Sequence, residues 1–339
     1  MTYIPLIRAN VMHGVIALLQ QLDAPTERLL AEAKLPLSVL HEPEALLPLQ
    51  QVLQFVEHAA LTMGLEQFGL LAGQQTQIAH LGALGRLLCH SPTLQVAIHT
   101  LICLMLRYNS GDRIWLKPQG EIVWLCRHFT NELEHRYPQA VQGSVMGLIQ
   151  LIQLAAGSQW QPTEIHLATP PTQGFAQMAW LANTKILFNQ DATAIAVPKL
   201  LLSLPLQNPQ PYGKPQWDQD YEILRSSAPA TNFPESLKQI IGVHLKQGYP
   251  NIQAIAKILG VSVRSFQRHL HQANLTYSQL IEQVRFEHSV QLLSDPTNKV
   301  ADIAAELGYK DAGNFARAFK RWTGISPKTY SMHYLKTLF

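Results

Sequence analysis

The chain has 339 residues, of which 47% are hydrophobic and 14% are charged. These proportions are typical of a globular protein with enough apolar material for two domains, and they exclude an intrinsically disordered chain. The net charge of +3 is unevenly placed: residues 232–339 carry 13 basic and 7 acidic side chains, and the remainder carries 13 and 16. A basic C-terminal part on a mildly acidic body indicates a polyanionic partner for that part alone.

The N-terminal residues lack the basic start, long apolar core and cleavage site of a secretory signal. The longest apolar stretches, such as 96–106, are too short to span a bilayer. The three cysteines, Cys89, Cys103 and Cys126, lie in apolar segments and are predicted to be reduced core thiols. We therefore expect a cytoplasmic protein with no membrane partner.

Helices dominate the first third of the chain, because apolar side chains recur at helical spacing over about residues 4–107. One of these helices is predicted to run from Pro92 to Tyr108, with Ser91 as its N-cap. After a turn at 109–112 the period changes to that of strands, and Pro118-Gln119-Gly120 is predicted to close a hairpin.

Helices and short strands alternate after the hairpin. The predicted elements are a helix at 139–156, a strand at 163–168, a helix at 172–181, and strands at 186–188 and 193–197. This order predicts an α+β domain over residues 1–204, with the sheet expected to be antiparallel. The Pro-rich stretch 205–231 is predicted to be a linker with a short helix at 217–224, and 232–339 an all-α domain.

A repeat near the C-terminus is the strongest functional signal. The segment Ile255–Gly260 returns 48 positions later as Ile303–Gly308, and each copy precedes a turn and a basic amphipathic segment. A helix, a glycine turn and a second helix carrying arginine predict a helix-turn-helix, here twice. The connecting helix, Tyr277–Leu293, spans roughly 25 Å, of the order needed to hold two heads about 34 Å apart on B-DNA.

Each predicted second helix has an inner and an outer face. In the first unit Ser262 caps the helix while Phe266 and Leu270 face inward. In the second unit Asp311 is the cap, and the inward positions are Phe315, Ala318, Phe319 and Trp322. The basic side chains are therefore predicted to lie on the open face of both helices, and Ser326-Pro327 to begin a final helix.

The stretch from Ile303 to Tyr330, with Asn314-Phe-Ala-Arg-Ala-Phe-Lys-Arg-Trp, resembles the C-terminal signature of the AraC/XylS family of bacterial transcription regulators. The resemblance covers about residues 233–334. It implies a DNA-binding domain of seven helices, whose two recognition helices enter adjacent segments of the major groove.

The same resemblance implies which residues contact the double-stranded DNA. The base-contacting positions are Arg264, Gln267 and Arg268 in the first head, and Ala312, Gly313, Ala316 and Arg317 in the second. Ala312 and Gly313 stand where family members often carry longer polar side chains, so direct readout by the second head would depend mainly on Arg317. Lys320 and Arg321, toward the end of the helix, are predicted to contact phosphates.

The N-terminal part is similar to the ligand-sensing domain of AraC-family regulators of the ornithine-utilisation type. The similarity lies in Leu81-Gly82, in Ser91-Pro92-Thr93-Leu94 and in the hairpin after Gly111. It implies a small-molecule effector and leaves open a homodimer and a contact with RNA polymerase. The candidate effector residues are Arg107, Tyr108, Trp115 and Trp124, which border the change from helix to sheet, although strand tryptophans more often fill cores.

The leading interpretation is a sequence-specific transcription regulator that is not an enzyme and uses no cofactor or metal. The histidines show no metal-ligand spacing. Two alternatives stay open. The N-terminal domain could be an enzyme with a DNA-targeting tail, such as a DNA-repair alkyl acceptor, which would need an activated, accessible thiol. It could also serve only in dimerisation and bind nothing small.

Overall fold

The structure is a computed structural model that describes residues 3–130, 133–207, 213–245, 248–295 and 297–338. The chain forms two compact units. The first, Pro5–Pro229, is called here the N-terminal unit; the second, Ala230–Phe339 with Met1–Ile4, is the C-terminal unit. Among the described residues, no helix combines the length and the apolar character that a bilayer span requires.

The N-terminal unit combines helices with two small sheets. Its α-helices are α1 (His13–Gln21), α2 (Thr26–Glu32), α3 (Leu49–Met63), α4 (Phe68–Gln75), α5 (Gly82–Cys89), α6 (Leu94–Tyr108), α7 (Pro138–Ala156), α8 (Lys199–Leu202) and α9 (Lys214–Ser226). Its strands are β1 (Leu6–Arg8), β2 (Leu46–Pro48), β3 (Asp112–Gln119), β4 (Ile122–Phe129), β5 (Glu164–His166), β6 (Lys185–Leu187) and β7 (Thr193–Pro198). The predicted α+β class is confirmed.

The larger sheet has the strand order β3-β4-β7-β5-β6, and β1 and β2 form a separate antiparallel pair. The β3-β4 hairpin pairs Asp112 with Phe129 and Gln119 with Ile122, as its turn signal predicted. The expectation of a fully antiparallel sheet is wrong, because β5 and β6 are parallel. The segment between them is long enough to return the chain to the same end of the sheet, as a parallel pair requires.

Two local predictions are also corrected. The helix predicted at 172–181 is a series of turns that ends in the 3-10 helix Ala179–Leu181. Two prolines at 170 and 171 and the tightly packed Gly174 interrupt the helical pattern there. The N-cap of α6 is Thr93 rather than Ser91: its side chain accepts a hydrogen bond from the Val96 N–H at 3.4 Å.

Small residues let α4 and α7 pack closely in the core of the N-terminal unit. A Cβ atom on Gly69 would collide with the Gln139 backbone, and one on Gly73 would collide with the Met146 side chain. The inner face of β4 lies under these helices, with Val123 and Leu125 buried. The close approach of the two helices therefore depends on glycine at both positions.

Arg8 is fully buried, with 0% of its side chain exposed, and it joins four segments of the N-terminal unit. Its guanidinium donates to Glu44 Oε2 at 2.9 Å and to the Arg107 carbonyl at 3.1 and 3.2 Å. It also donates to the Ser227 Oγ and carbonyl oxygen at 3.0 and 3.2 Å. Burial lowers the pKa of Arg8, and the charge and hydrogen bond of Glu44 oppose that shift.

Helix α9 lies in the stretch predicted to be a linker, and it packs on α5 and α6. Arg86 on α5 forms a two-point ion pair with Asp220, with N···O distances of 2.6 and 2.9 Å. The Arg107 guanidinium lies 5.4 Å from the centroid of the Tyr221 ring. Part of the predicted linker, residues 208–212, lies outside the described residues, and independent folding of 1–204 and 232–339 stays a prediction.

The described part of the C-terminal unit is all α-helical. Its helices are α10 (Phe233–Leu245), α11 (Ile252–Ile258), α12 (Val263–Gln272), α13 (Tyr277–Leu293), α14 (Val300–Glu306), α15 (Ala312–Thr323) and α16 (Pro327–Leu338). Both helix-turn-helix units form where the repeat predicted them. Gly260 and Gly308 have φ angles of +67° and +69°, the left-handed conformation that each turn requires.

The caps and inner faces of both units are confirmed as well. Ser262 and Asp311 accept hydrogen bonds from the backbone N–H groups of Ser265 and Asn314. The buried aromatic side chains are Phe266 in the first unit and Phe315 and Phe319 in the second. Trp322 is only partly buried and packs against the edge of the second cluster rather than inside it.

We predict that Arg8→Met strongly destabilises the N-terminal unit, because Glu44 and three backbone carbonyls would lose a buried cationic donor. Breaking a buried pair in this way costs about 3–5 kcal/mol. The expected result is a lower melting temperature of the full chain and faster hydrogen exchange in α6 and α9.

Arg28→Met is the matched control, because the ion pair of Arg28 with Glu32 is a surface pair with the Arg28 side chain 77% exposed. Such pairs contribute about 0–1 kcal/mol. Equal exchange rates in the two variants would contradict a central role for Arg8.

Candidate nucleic-acid interface and candidate effector cavity

The second helix of each head, α12 or α15, presents its basic side chains to solvent. In the first head Arg264, Gln267 and Arg268 are all exposed on α12. On α15, Gly313 and Arg317 are exposed, whereas Ala312 and Ala316 are partly buried. The exposed base-contact candidates therefore lie away from the buried aromatic side chains, whereas Ala312 packs against the cluster that contains Phe315 and Phe319.

A short chain of hydrogen bonds fixes Arg317 at the start of α15. The Arg317 guanidinium donates to Asn314 Oδ1 at 2.7 Å, and the Asn314 amide group donates in turn to the Asp311 carboxylate. Asp311 is also the N-cap of the helix. Because this chain restricts the arginine rotamers, Arg317 would lose less conformational entropy in a contact with a base than a freely rotating side chain would.

The two predicted phosphate contacts differ in their surroundings. Lys320 is exposed on α15. Arg321 donates to Glu282 Oε1 on α13 at 2.6 Å, with both side chains more than half exposed. A phosphate would have to compete with Glu282 for Arg321, so Lys320 is the simpler phosphate ligand of the pair.

The connecting helix α13 is anchored to the first head at its N-terminal end. The Tyr277 hydroxyl donates to the Pro250 carbonyl at 2.6 Å, and its ring meets Phe266 edge-to-face at a centroid distance of 5.9 Å. Burial raises the pKa of Tyr277. The phenol is therefore a neutral donor that ties α13 to the segment before α11.

Arg285 anchors the middle of α13 to the second head. Its Nε and one terminal nitrogen donate to the Leu307 and Gly308 carbonyls, both at 2.9 Å. Its guanidinium also lies 4.2 Å from the centroid of the Tyr309 ring. These carbonyls follow α14 and have no helical partner, so Arg285 caps the helix that precedes the second turn. Sequence reasoning missed Arg285, the single Lys or Arg of α13, because no local pattern identifies the carbonyls that it bonds more than twenty positions away.

The N-terminal unit encloses a cavity of about 180 Å³ between α1, α3, α4, α6, α7 and the inner face of β3 and β4. Most of its walls are aliphatic. The apolar lining includes Val15, Val52, Val56, Leu101, Met105, Leu148 and Leu151. The polar lining includes Thr76, Tyr108, Asn109, Asp112, Arg127, Gln139 and Ser144. A largely apolar pocket with a few convergent polar groups is the usual form of a small-molecule site.

Asp112 and Arg127 form a buried ion pair at the edge of this cavity. The Arg127 guanidinium donates to Asp112 Oδ2 at 2.7 Å and to the Ser144 hydroxyl, and it lies 3.9 Å from the Phe129 ring centroid. Burial raises the pKa of Asp112; the Arg127 charge and hydrogen bond lower it, and the Arg113 N–H lowers it less. The sequence signal for Arg127 was a charged residue at an inward position of an otherwise apolar strand face.

The four sequence-derived effector candidates separate in the structure. Tyr108 lines the cavity, where its hydroxyl donates to Asn10 Oδ1 at 2.7 Å. Arg107, Trp115 and Trp124 are not among the lining residues. Trp124 packs with Cys126 and Ala194 on the other face of the sheet, because successive strand residues point to opposite sides. The position of Trp115 opposite Cys126 in the hairpin register places it on that face too.

Glu57 on α3 approaches the N-terminus of α7, where it accepts a hydrogen bond from the Gln139 N–H at 2.7 Å. Burial raises the pKa of Glu57 to about 7, although the backbone hydrogen bonds of Gln139 and Ala140 lower it. The cost of removing the Glu57 carboxylate from water is therefore larger than the stabilisation that it gains at the N-terminus of α7. At neutral pH this carboxyl group lies near its midpoint of ionisation.

The Cys89 and Cys126 thiols are not activated, and the prediction that all three cysteines are core thiols is wrong for Cys103. Burial raises the pKa of Cys89 and of Cys126, the opposite of what a nucleophilic thiol needs. Cys103 is exposed on α6, with its Sγ 3.6 Å from His99 Nδ1. Within the described ranges, no group of three or more His, Cys, Asp or Glu side chains is placed to hold a metal ion.

Two helix-turn-helix heads joined by an anchored helix, together with an α+β unit that encloses a cavity, define a DNA-binding transcription regulator. The comparisons with known proteins agree. The family described as the N-terminal arabinose-binding domain of AraC transcription regulator matches residues 24–206, more than half of the chain. A helix-turn-helix domain family matches residues 255–333. The chain belongs to the AraC family of transcription regulators.

Named relatives align along nearly the whole chain. The ornithine utilization regulator of Pseudomonas aeruginosa is 23% identical over 317 residues, which cover 94% of each protein. The HTH-type transcriptional regulator VirS of Mycobacterium tuberculosis is 22% identical over 329 residues, 96% of each. The crystal structure of the transcriptional regulator CdpR from P. aeruginosa covers 91% of this chain and 96% of its own, at 18% identity and a TM-score of 0.41.

We predict that Arg285→Met loosens the second head, because two carbonyls at the end of α14 would lose a charged donor. The expected cost is on the order of 1.5–3 kcal/mol, read as faster hydrogen exchange in α14 than in α11. Arg321→Met is the control, since its ion pair with Glu282 is exposed and should change the exchange rates little. If Arg321→Met loosened α14 as much as Arg285→Met, the carbonyl cap would not be the cause.

We predict that Glu57→Gln makes the N-terminal unit more stable at pH 8 than the wild type, and about equally stable at pH 4. The pKa of Glu57 is raised to about 7 in the folded chain from 4.5, so its contribution is complete below 4.5 and is lost as pH rises through 7. Glutamine keeps an accepting oxygen for the Gln139 N–H and does not titrate. The check is the difference in melting temperature across this range.

Glu27→Gln, on the exposed surface of α2, controls for the loss of one negative charge. A Glu57→Gln difference that stayed constant with pH would show that the carboxyl group does not titrate in this range.

Proposed function

We propose that this regulator reads two adjacent major-groove segments with α12 and α15, under the control of a small molecule bound in the cavity of the N-terminal unit. Arg264, Gln267 and Arg268 contact bases from the first head. The second head contacts bases with Arg317, and the small residues Ala312, Gly313 and Ala316 let its helix approach the bases closely. Lys320 and, after release from Glu282, Arg321 contact phosphates.

One observation carries the readout proposal. Each recognition helix buries its aromatic side chains and exposes an arginine two residues after one of them, Arg268 after Phe266 and Arg317 after Phe315. An exposed arginine on such a helix can donate two hydrogen bonds to the O6 and N7 atoms of guanine. The anchors at Tyr277 and Arg285 support a fixed spacing of the two heads, because both residues lie on α13 and each bonds a backbone carbonyl of a different head.

The hydrogen bonds of Tyr108 support the cavity as the effector site. Tyr108 lines the cavity and bonds to Asn10, whose amide lies 3.5 Å from Glu44 Oε1. Glu44 pairs with Arg8, and Arg8 binds the end of α9 at Leu224 and Ser227. The chain passes to the C-terminal unit shortly after, at Ala230. A ligand that moved Tyr108 would therefore act on groups bonded to the segment that leads to the DNA-binding heads.

The protein is proposed to act by binding alone, without covalent chemistry. The raised pKa values of the Cys89 and Cys126 thiols disfavour the alkyl-acceptor alternative. A homodimer and a contact with RNA polymerase remain separate proposals. The size of the chain during centrifugation, with and without DNA, would test the dimer.

The decisive experiment is the selection of bound sites from random duplex DNA by the full chain, followed by base-by-base affinity profiles of variants. Arg268→Ala and Arg317→Ala should each relax preference at one or two base pairs, with a loss of about 1–3 kcal/mol of discrimination. The two affected positions should lie about one helical turn, roughly 10 bp, apart.

Lys320→Ala is the contrasting variant. It should weaken binding to all sequences about equally and make the dependence of affinity on salt shallower, since fewer counterions would be released. If both arginine variants relaxed the same base pair, or if neither changed specificity, the two-headed readout would be wrong.

A further inference from the structure

Asp112 Oδ1, at the charged edge of the cavity, has no hydrogen-bond partner of good geometry among the described residues, although the Arg113 N–H lies close enough to lower the pKa of the carboxyl group. Arg127 binds only Oδ2 of Asp112, at 2.7 Å. Asp112 lines the cavity and is 5% exposed. A buried carboxylate oxygen without a donor is costly, and buried polar atoms are normally paired. Asp112 Oδ1 is therefore available to accept a hydrogen bond from a group bound in the cavity.

The balance of charge around Asp112 favours a cationic donor. Glu134 is 1% exposed, and its charge acts on Asp112. The carboxylate of Glu134 already accepts from the Phe129 N–H at 3.1 Å and contacts His128 Nδ1 at 3.2 Å. Arg127 is the cation paired with Asp112, and Glu134, which is not a lining residue of the cavity, adds a second negative charge nearby. One further positive charge at Asp112 Oδ1 would balance these two carboxylates.

The size and walls of the cavity restrict the rest of the ligand. Its volume is about 180 Å³. An aliphatic cavity of about 150 Å³ in another protein is enough to bind benzene. The walls opposite the ion pair are aliphatic, among them Val56, Leu101 and Leu148. Gly147 of α7 also lines the cavity, and a Cβ atom built on it would meet no atom within 4 Å.

We propose that this cavity binds a compact, mostly apolar amine. The ammonium group donates to Asp112 Oδ1, and the hydrocarbon body fills the space beside Gly147 and the aliphatic walls. This inference rests on the proposed function for its choice of the cavity as the effector site, and it adds the chemical class of the effector.

The test compares three probes of similar shape with the full-length chain by titration calorimetry. Cyclohexylamine, which is protonated at neutral pH like other aliphatic amines, should bind about tenfold more tightly than cyclohexanol, a difference of 1.4 kcal/mol. Cyclohexanecarboxylate should bind most weakly. Equal or tighter binding of the alcohol or the carboxylate, or no binding of the amine, would overturn the proposal.

L-Ornithine is added as a fourth probe because one relative is named an ornithine utilization regulator. Its second ammonium group and its carboxylate would both lose water against aliphatic walls. We expect it to bind more weakly than cyclohexylamine. Tighter binding of ornithine would overturn the apolar part of the proposal.

Variants locate the binding site. Gly147→Leu should fill the cavity and abolish amine binding, whereas Gly147→Ala should retain it. Gly147→Ala should not lower the melting temperature, because the added Cβ atom enters open space and replaces a glycine within a helix. Undiminished amine binding by Gly147→Leu would place the site elsewhere and refute the assignment.

Asp112→Asn tests the recognition of the ammonium group. It should remove the preference for amine over alcohol while leaving weak binding of both; a preserved preference would refute the role of Asp112. If this variant does not fold, the Gly147 pair decides the outcome. Site selection from random DNA is scored separately: a chain that selects a DNA sequence but ignores amines would refute only the ligand class.

Discussion

The buried guanidinium of Arg8 is the interaction on which the architecture of the N-terminal unit depends. It binds the loop at Glu44, the end of α6 at Arg107 and the end of α9 at Ser227. These segments are far apart in the chain, and each presents carbonyl or carboxylate oxygens that accept hydrogen bonds from Arg8. One side chain therefore satisfies the ends of two helices at once. The chain crosses between the two units only a few residues from this network, after Ile4 and before Ala230.

In the C-terminal unit, two similar heads are held at a defined separation on one polypeptide. A bare connecting helix would fix its own length but not the angle of either head. Tyr277 and Arg285 supply that restraint, since each bonds a backbone carbonyl of a different head. The two heads also differ in the side chains of their second helices. The second head has small residues at Ala312 and Gly313, and the guanidinium of its Arg317 is held by Asn314.

The cavity lies where the helices of the N-terminal unit meet the inner face of the sheet. Its aliphatic walls would give a ligand little beyond burial of apolar surface, so specificity in the proposed site would come from the ion pair of Asp112 and Arg127. Tyr108 connects the same cavity to Asn10 and, through Glu44, to Arg8. A site with this connection is suited to regulation, since occupancy would alter polar contacts that are already buried and therefore energetically important.

The sequence by itself determined the features whose causes are local. The turns at Gly260 and Gly308, the caps at Ser262 and Asp311 and the limits of α13 were predicted correctly, because glycine conformation, capping and helical period depend on neighbouring residues. The β3-β4 hairpin was predicted for the same reason. The sequence-derived readout surface follows directly from the helical period of α12 and α15.

Only the tertiary structure decided which distant groups meet. Arg8 bonds to Ser227 across more than two hundred positions, and no local pattern contains that pairing. The same holds for Arg285 with Leu307, and for the parallel pairing of β5 and β6. The lining of the cavity is the clearest example of a feature that the sequence by itself did not determine. Trp124 and Arg127 are three residues apart on one strand, yet only Arg127 lines the cavity, because the packing of helices on one face of the sheet chose the inner side.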